Sequence, residues 1–258
     1  MYTFDSRVRY SETSADGRLT PEKLIDYFQD CSTFQSEDIG AGVEKIRSRS
    51  RAWMIVYWRV EIRRMPVLGE QIRIGTLPYE MKGSIGLRNF MMETADGERL
   101  ACANSVWSLI DTKTMHPVRI PADIVDVYQL GDRLDMLYDS RKIRIPDVPG
   151  EEKLPVVVKE YHLDSNRHMN NGQYVRIAMG YLPPETEISV LRIDYRRQAR
   201  LGDRIIPVVY ELPSRIDPMT DHTDILDTGT ASEREGRTVC VSLNDNDGRP
   251  YAVLEIKN

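Results

Sequence analysis

Residues 164–171 read Asp164, Ser165, Asn166, Arg167, His168, Met169, Asn170, Asn171, so a carboxylate, carboxamides and an imidazole share one short stretch. Burial or a charged neighbour can bring a carboxylate or an imidazole toward a useful protonation state at neutral pH, which makes Asp164 and His168 candidates for acid–base work. The Asn166 carboxamide both donates and accepts, and can hold a carbonyl or a water. Residues 172–179 follow with helical character, and the first N–H groups of a helix have no partner within it. With the helix dipole, those groups could stabilise an oxyanion. Hydrolysis of an ester or thioester requires such a set. The same residue types also favour turns and caps; on that reading Asn170 or Asn171 caps the helix and His168 is a satisfied polar side chain.

Other chemistries have less support. A metal held by His162, Asp164 and His168 lacks a second ligand cluster or a recognised spacing, and no metal or other cofactor is expected. Covalent attack has neither a Gly-x-Ser-x-Gly turn nor a local Cys–His pair. Gly83-Ser84-Ile85-Gly86 is too short for a phosphate loop and reads as the end of a strand.

The elements that must position these groups form two copies of one pattern. In the first, a strand-like Arg7-Val8-Arg9-Tyr10 leads through the turn Ala15-Asp16-Gly17 to a helix start at Thr20-Pro21-Glu22. Threonine there is the N-cap, and proline sits where its missing N–H costs nothing. Leu24, Phe28 and Cys31, supported by Tyr27 and Phe34, form the apolar face, with Lys23, Asp26 and Asp30 turned away. Gly40-Ala41-Gly42 ends the helical region. Trp58, Val60 and Ile62 then alternate with Arg59, Glu61 and Arg63 as in a strand, and strands at 71–76, 87–93 and 100–110 follow, the last pair joined by Asp96-Gly97.

Residues 116–155, with Pro117, Pro121, Pro146, Pro149 and Pro155, read as a connection across the surface. The second copy opens with a strand at 156–161 and passes through the 164–171 stretch into a helix. Tyr174, Ala178, Tyr181 and Leu182 share one face of that helix, and Gly180 and Pro183-Pro184 stop it. Residues 191–195 alternate like 60–63, Leu201-Gly202-Asp203 echoes Leu68-Gly69-Glu70, and Asp247-Gly248 joins its strands as Asp96-Gly97 does. A period of roughly 130–150 residues predicts a duplicated strand–helix–meander unit, its copies related by a pseudo-twofold axis with a ligand site at their interface. Where the second copy has the 164–171 stretch, the first has Thr13-Ser14-Ala15-Asp16-Gly17-Arg18, without Asn or His. Chemistry is therefore expected on one side only.

With 41% hydrophobic and 29% charged residues, the composition is that of a soluble globular protein without a membrane-spanning run. The N-terminus shows neither a secretion signal nor a transit extension, so the mature chain is expected to begin at Met1. Cys31, Cys102 and Cys240, odd in number and widely spaced, read as buried reduced thiols in a cytoplasmic protein. A net charge of -5 argues against nucleic-acid binding. Two basic runs, Arg47, Arg49, Arg51 and Arg192, Arg196, Arg197, Arg200, Arg204, read as solvated faces; the sharper alternative is an acidic partner.

Several blocks in order resemble the acyl-ACP thioesterases of plants and bacteria: Gly83-Ser84-Ile85-Gly86-Leu87-Arg88-Asn89-Phe90, Ala103-Asn104-Ser105-Val106-Trp107, residues 162–174, and Asp194-Tyr195-Arg196-Arg197. The resemblance covers nearly the whole chain. It implies an α+β fold of two tandem hotdog domains, each a curved antiparallel sheet wrapped around a long helix. The expected division is 1–120, a linker at 121–154, and 155–258 carrying the catalytic block. It implies hydrolysis of the thioester between a fatty acyl chain and the phosphopantetheine arm of acyl carrier protein, with Asp164, Asn166 and His168 at the catalytic positions. By the same resemblance the acyl chain occupies an apolar cavity mainly in the first half, with Trp53, Met54, Met91 and Met92 as lining candidates. The carrier is acidic, so Arg192, Arg196, Arg197 and Arg200 become docking candidates. A homodimer is compatible with this reading.

One departure stands out. Plant members carry an acidic residue and then a cysteine after the block that ends at Arg197; this chain has Gln198 and Ala199. A cysteine nucleophile is impossible there, and the Gln198 amide is left to orient water or the thioester carbonyl. Direct attack by water activated by Asp164 or His168 is the expected mechanism, with an acyl-Asp164 intermediate as the alternative. Two other functions fit the same resemblance: a double-hotdog protein that holds acyl thioesters without cleaving them, and an acyl-ACP dehydratase.

Overall fold

The computed structural model describes residues 1–183, 186–213 and 237–258; Pro184, expected at the second helix stop, lies outside them. The first half runs β1 Tyr2–Arg7, α1 Pro21–Asp38, α2 Val43–Arg47, β2 Arg51–Ile62, β3 Gln71–Lys82, β4 Ile85–Thr94 and β5 Arg99–Asp111. The connection contains α3 Ala122–Val125 and β6 Glu151–Glu152. The second half runs β7 Val156–Val157, α4 Asn171–Met179, β8 Val190–Tyr195, β9 Arg204–Pro213, β10 Arg237–Asn244 and β11 Pro250–Lys257. No helix among the described residues is long and apolar enough to cross a membrane.

Each half builds its sheet with the same pairing. The order β1-β3-β4-β5-β2 is continued by β8-β11-β10-β9-β6, with β7 also on β9, so among the described residues one sheet of 11 strands spans both halves. The join is the antiparallel pair β2–β8, in which Tyr57 faces Asp194, Trp58 faces Ile193 and Arg59 faces Arg192. The repeat reaches individual hydrogen bonds. The Val8 N–H donates to the Glu70 carbonyl as Val158 does to Asp203, and Leu19 donates to Pro66 as Met169 does to Ala199.

Strand alternation puts Trp58, Val60, Phe90 and Met92 on the face that α1 and α4 cover. Phe28 from α1 meets Phe90 at 5.3 Å between ring centroids, and Trp58 meets Phe90 at 4.9 Å. Phe28 and Phe90 are fully buried, each contributing about 1.5–3 kcal/mol of apolar burial. The two helices also touch each other. Gly172 lies where α4 approaches α1: a Cβ there would sit 2.8 Å from Asp26 Oδ1, which would have to move, and 3.3 Å from the Glu22 carbonyl oxygen. Asp26 thus points toward α4 rather than away.

Several local expectations are corrected. The opening strands end at Arg7 and Val157, and short 3-10 turns at Tyr10–Glu12 and Glu160–His162 take their place. These turns close locally, with the Arg9 N–H donating to Glu12 Oε2 and the Lys159 N–H to His162 Nδ1. Thr20 precedes α1, yet its hydroxyl is buried without a partner rather than capping. Phe34 is 44% exposed and packs edge-on against Phe4. Gly83 and Ser84 form the turn between β3 and β4, with Gly83 at φ 63, and Ile85-Gly86 opens β4. Tyr181 and Leu182 lie beyond α4, which at 9 residues is half the length of α1 at 18.

The connection crosses the sheet face opposite the helices and is held there by one strand after another. Asn89 on β4 accepts from the Leu134 N–H, Glu61 on β2 from the Leu137 N–H, and Asp194 on β8 from the Ile143 N–H. At the seam, Arg59 and Arg192 stand directly opposite each other, an arrangement of like charges that by itself destabilises a strand pair. Asp139 from the connection accepts from Arg59 at 2.6 Å and forms an ion pair with Arg192 at 2.8 Å, while Glu61 and Glu255 hold their outer sides. The guanidiniums are largely covered, with 7% and 12% of the two side chains exposed. Asp139→Ala is expected to lower stability by about 1–2 kcal/mol in urea unfolding, more than an isolated exposed pair. Asp132→Ala, on the same connection and without a side-chain partner among the described residues, serves as the control and should change stability by less than about 0.5 kcal/mol.

Candidate active site

The loop leading into α4 has the backbone of its first-half counterpart and a different use of the carboxylate. The Asp164 N–H donates to the His168 carbonyl and Arg167 to the Asp164 carbonyl, as Ser14 does to Arg18 and Gly17 to Ser14. Arg167 takes the left-handed conformation, φ 60, that Gly17 occupies at φ 77. A side chain at that position is uncommon, so the loop must be held by its other bonds. Asp164 Oδ1 supplies them, accepting from the Asn166 N–H at 2.8 Å and the His168 N–H at 3.1 Å. In the first half, Asp16 accepts from the Arg18 N–H and the Ser14 hydroxyl. Moving the carboxylate two residues earlier frees position 166 for an amide.

Asp164 and His168 are half-buried and Asn166 is exposed. Among the described residues, neither imidazole nitrogen of His168 has a hydrogen-bond partner. Burial lowers the His168 pKa below its ordinary value, with Asp164 opposing the shift and Arg200 adding to it. The turn carrying Gln198 and Ala199 is clipped to this loop: the Met169 N–H donates to the Ala199 carbonyl at 2.9 Å, and the Ala199 N–H donates to the Tyr174 hydroxyl at 2.9 Å. Asp164, Asn166, His168 and Gln198 are thereby brought to one end of the second half.

Of the N–H groups that open α4, two are already used. Asn170 caps α4, its Oδ1 accepting from the Gly172 N–H at 2.8 Å, and the Gln173 N–H donates to the Asn170 carbonyl. His162 closes its own turn through Nδ1 and lies against the Tyr161 ring at 4.3 Å. Among the described residues, no three His, Cys, Asp or Glu side chains gather as a metal site. Cys31, Cys102 and Cys240 are free and buried, and burial pushes the Cys31 and Cys240 thiols up to about 12 and Cys102 to about 11. None is poised as a nucleophile.

The four acyl-pocket candidates do not share a surface. Trp53 and Met92 face the helix side, and their sequence neighbours Met54 and Met91 point to the other by strand alternation. Met92 belongs to the core around Phe28 and Trp58, whereas Trp53 packs with Ile46, Leu109 and Ile124 in a second apolar cluster. The buried Arg88 bridges the two, donating to Gln35 Oε1 and Thr76 Oγ1 and lying 5.4 Å from the Tyr128 ring centre.

Of the four docking candidates, three guanidiniums are internally engaged. Arg192 binds Tyr57, Glu255 and the Ser140 carbonyl, and Arg196 binds Asp194 and the Ile143 carbonyl, both on the connection side of the sheet. Arg197 binds the Arg249 and Pro250 carbonyls and pairs with Asp245. Arg200 is exposed, has no side-chain partner among the described residues, and acts on His168.

Two neighbours of the loop had no signal in the sequence because both come from the first half. Gln29 on α1 accepts from Asn171 Nδ2 at 2.6 Å, and Arg47 on α2 donates to Asn166 Oδ1 at 3.3 Å. Spacing within one half cannot report such contacts. Titration of the His168 ring by NMR is expected to give a pKa below the ordinary 6.5; Arg200→Ala should raise it and Asp164→Asn should lower it further.

Comparison with known proteins places this geometry in a family. The acyl-ACP thioesterase N-terminal domain matches residues 1–128, and the C-terminal domain of the same family matches residues 148–240. A chloroplastic acyl-[acyl-carrier-protein] hydrolase of Cuphea viscosissima is 25% identical over 224 residues, covering 81% of this chain; the chain spans 54% of that relative's length. A chloroplastic oleoyl-acyl carrier protein thioesterase of Coriandrum sativum is 21% identical, covering 97% of this chain and 68% of its own. Among solved structures, an acyl-ACP thioesterase from Bacteroides thetaiotaomicron superposes with a TM-score of 0.82 at 20% identity, covering 99% of this chain and 97% of its own. The 12:0-ACP thioesterase from Umbellularia californica gives 0.80 at 16% identity, covering 99% and 93%. The shared fold is the double hotdog, and with both domain matches falling in order along one chain, the protein belongs to the acyl-ACP thioesterase family.

Proposed function

We propose that this protein hydrolyses fatty acyl thioesters of acyl carrier protein, releasing free fatty acid and the carrier's thiol. The observation that carries the reading is a loop, in a chain matched by both domains of the family, on which Asp164, Asn166 and His168 sit together in the second half alone. Water attacks the thioester carbonyl, its oxygen bonding to carbon as the carbon–sulfur bond breaks. The His168 imidazole, neutral near pH 7 because burial holds its pKa down, accepts the proton from water and returns it to the departing sulfur. Asp164 keeps the loop closed through Oδ1, and its charge favours the imidazolium formed during the reaction. Asn166 holds the carbonyl oxygen as negative charge develops on it. Gln198, on the turn clipped to the loop, helps orient the water or the thioester.

Arg200 is the docking candidate this geometry favours for the acidic carrier, since its guanidinium is exposed beside the loop. The carrier, the acyl chain and a homodimer all belong to the proposal.

Purified protein with acyl-ACP and a thiol reagent should release thiol and free fatty acid. His168→Ala and Asp164→Ala should each lower kcat by about 10²–10⁴, and Gln198→Ala by about tenfold or less. Tight binding without thiol release would point to a holding protein, and an enoyl product to a dehydratase; either outcome overturns the reading.

A further inference from the structure

Resting on that reading, we propose that Arg47 is a positioning residue for the same site: it turns the Asn166 carboxamide so that its NH2 group faces the substrate's carbonyl oxygen. The basic run Arg47, Arg49 and Arg51 has three separate fates. Arg49 pairs with Asp123, and Arg51 donates to the Arg119 carbonyl, both within the first half and its connection. Arg47 reaches the other half, its Nη2 donating to Asn166 Oδ1 at 3.3 Å.

The guanidinium is held for this contact. Arg47 ends α2, whose first turn is anchored by the Val43 N–H donating to Glu37 Oε1. Its Nη1 pairs with Glu44 one turn back, which leaves Nη2 to extend across the boundary. On the receiving side, the Asn166 backbone is fixed by Asp164, so the rotation of its carboxamide is the freedom that remains. No other partner holds that carboxamide among the described residues.

The chemistry follows from what each group can do. A carboxamide presents either its oxygen or its NH2, and arginine only donates. Arg47 therefore selects the oxygen for itself and leaves Nδ2 as the outward group. An outward NH2 can donate to a carbonyl oxygen that gains negative charge; it cannot accept a proton from the attacking water. This assigns Asn166 to the carbonyl rather than to the water. The assignment agrees with the loop backbone, where the N–H groups of Asn166, Arg167, His168, Met169, Asn170, Gly172 and Gln173 are already used. Among the described residues this leaves the Ser165 and Asn171 N–H groups as backbone donors, and the Asn166 carboxamide adds a side-chain donor to them.

The test is steady-state hydrolysis of acyl-ACP by the full chain carrying Arg47→Met, Arg47→Lys or Arg47→Glu, each with Asn166 intact and with Asn166→Ala. Arg47→Met is expected to lower kcat by about five- to tenfold with KM nearly unchanged. Arg47→Lys, still only a donor, should recover most of the loss. Arg47→Glu, only an acceptor, should draw the NH2 group back and cost more than Arg47→Met. With Asn166→Ala, Arg47→Met should cost nothing further. An equal loss in both backgrounds, or a raised KM at constant kcat, would overturn the inference and make Arg47 a docking or structural residue. The Asn166 side-chain amide resonances give a readout independent of turnover: they should shift in Arg47→Met, and an unchanged spectrum overturns the contact. If wild-type protein releases no thiol, the functional reading itself fails and this role for Arg47 falls with it. An active wild type with an unaffected Arg47→Met sinks this inference alone.

Discussion

Everything distinctive about the molecule depends on the pairing of β2 with β8. Without it there are two sheets, each with an unpaired edge and a helix on one face. With it there is one sheet, both helices lie on the same side, and α1 closely approaches the start of α4 at Gly172. The join also buries two edges that would otherwise offer unpaired backbone groups to other chains. It brings Arg47 within reach of Asn166, a contact between residues far apart in sequence.

The same join creates an electrostatic problem that the connection resolves. A pseudo-twofold axis through a seam places equivalent residues opposite each other, and here Arg59 meets Arg192. Asp139 lies against both, and the rest of the connection runs outward from it in both directions over polar side chains of successive strands. This explains why Asn89 and Asp194 are buried on strands whose other faces carry the apolar core. Their oxygens accept from the irregular segment that covers them, the condition under which buried polar groups are tolerated. A segment that reads as surface linker is structurally a strap.

The candidate loop shows how two copies of one backbone come to present different side chains. Both copies use the same closing bonds, so the conformation is inherited; the chemistry lies in which position carries the carboxylate. With Asp164 closing the loop, position 166 carries an amide and position 168 an imidazole with unpartnered nitrogens. With Asp16 closing it, Arg18 pairs back onto that aspartate. The strained Arg167 is the cost of putting a side chain where the sister loop uses glycine.

The sequence by itself determined the duplication, the turn positions and the stretch on which the functional proposal rests, because these are written in local pattern: glycines at positive φ, alternation in strands, and motif blocks in order. It also offered Asn170 or Asn171 as a cap, and the structure selects Asn170. It misjudged features that depend on which surface covers a residue. Met91 and Met92 look equivalent in a list of apolar residues and lie on opposite faces; Arg192 and Arg200 look like one basic cluster, yet one is locked under the connection and the other stands free. Helix length in the second half, the occupancy of the α4 N–H groups and the approach of Arg47 to Asn166 were decided only by the tertiary structure. The physical reason is that periodicity reports the direction of a side chain relative to its own backbone, whereas partners are set by edges and faces that meet after both halves have folded.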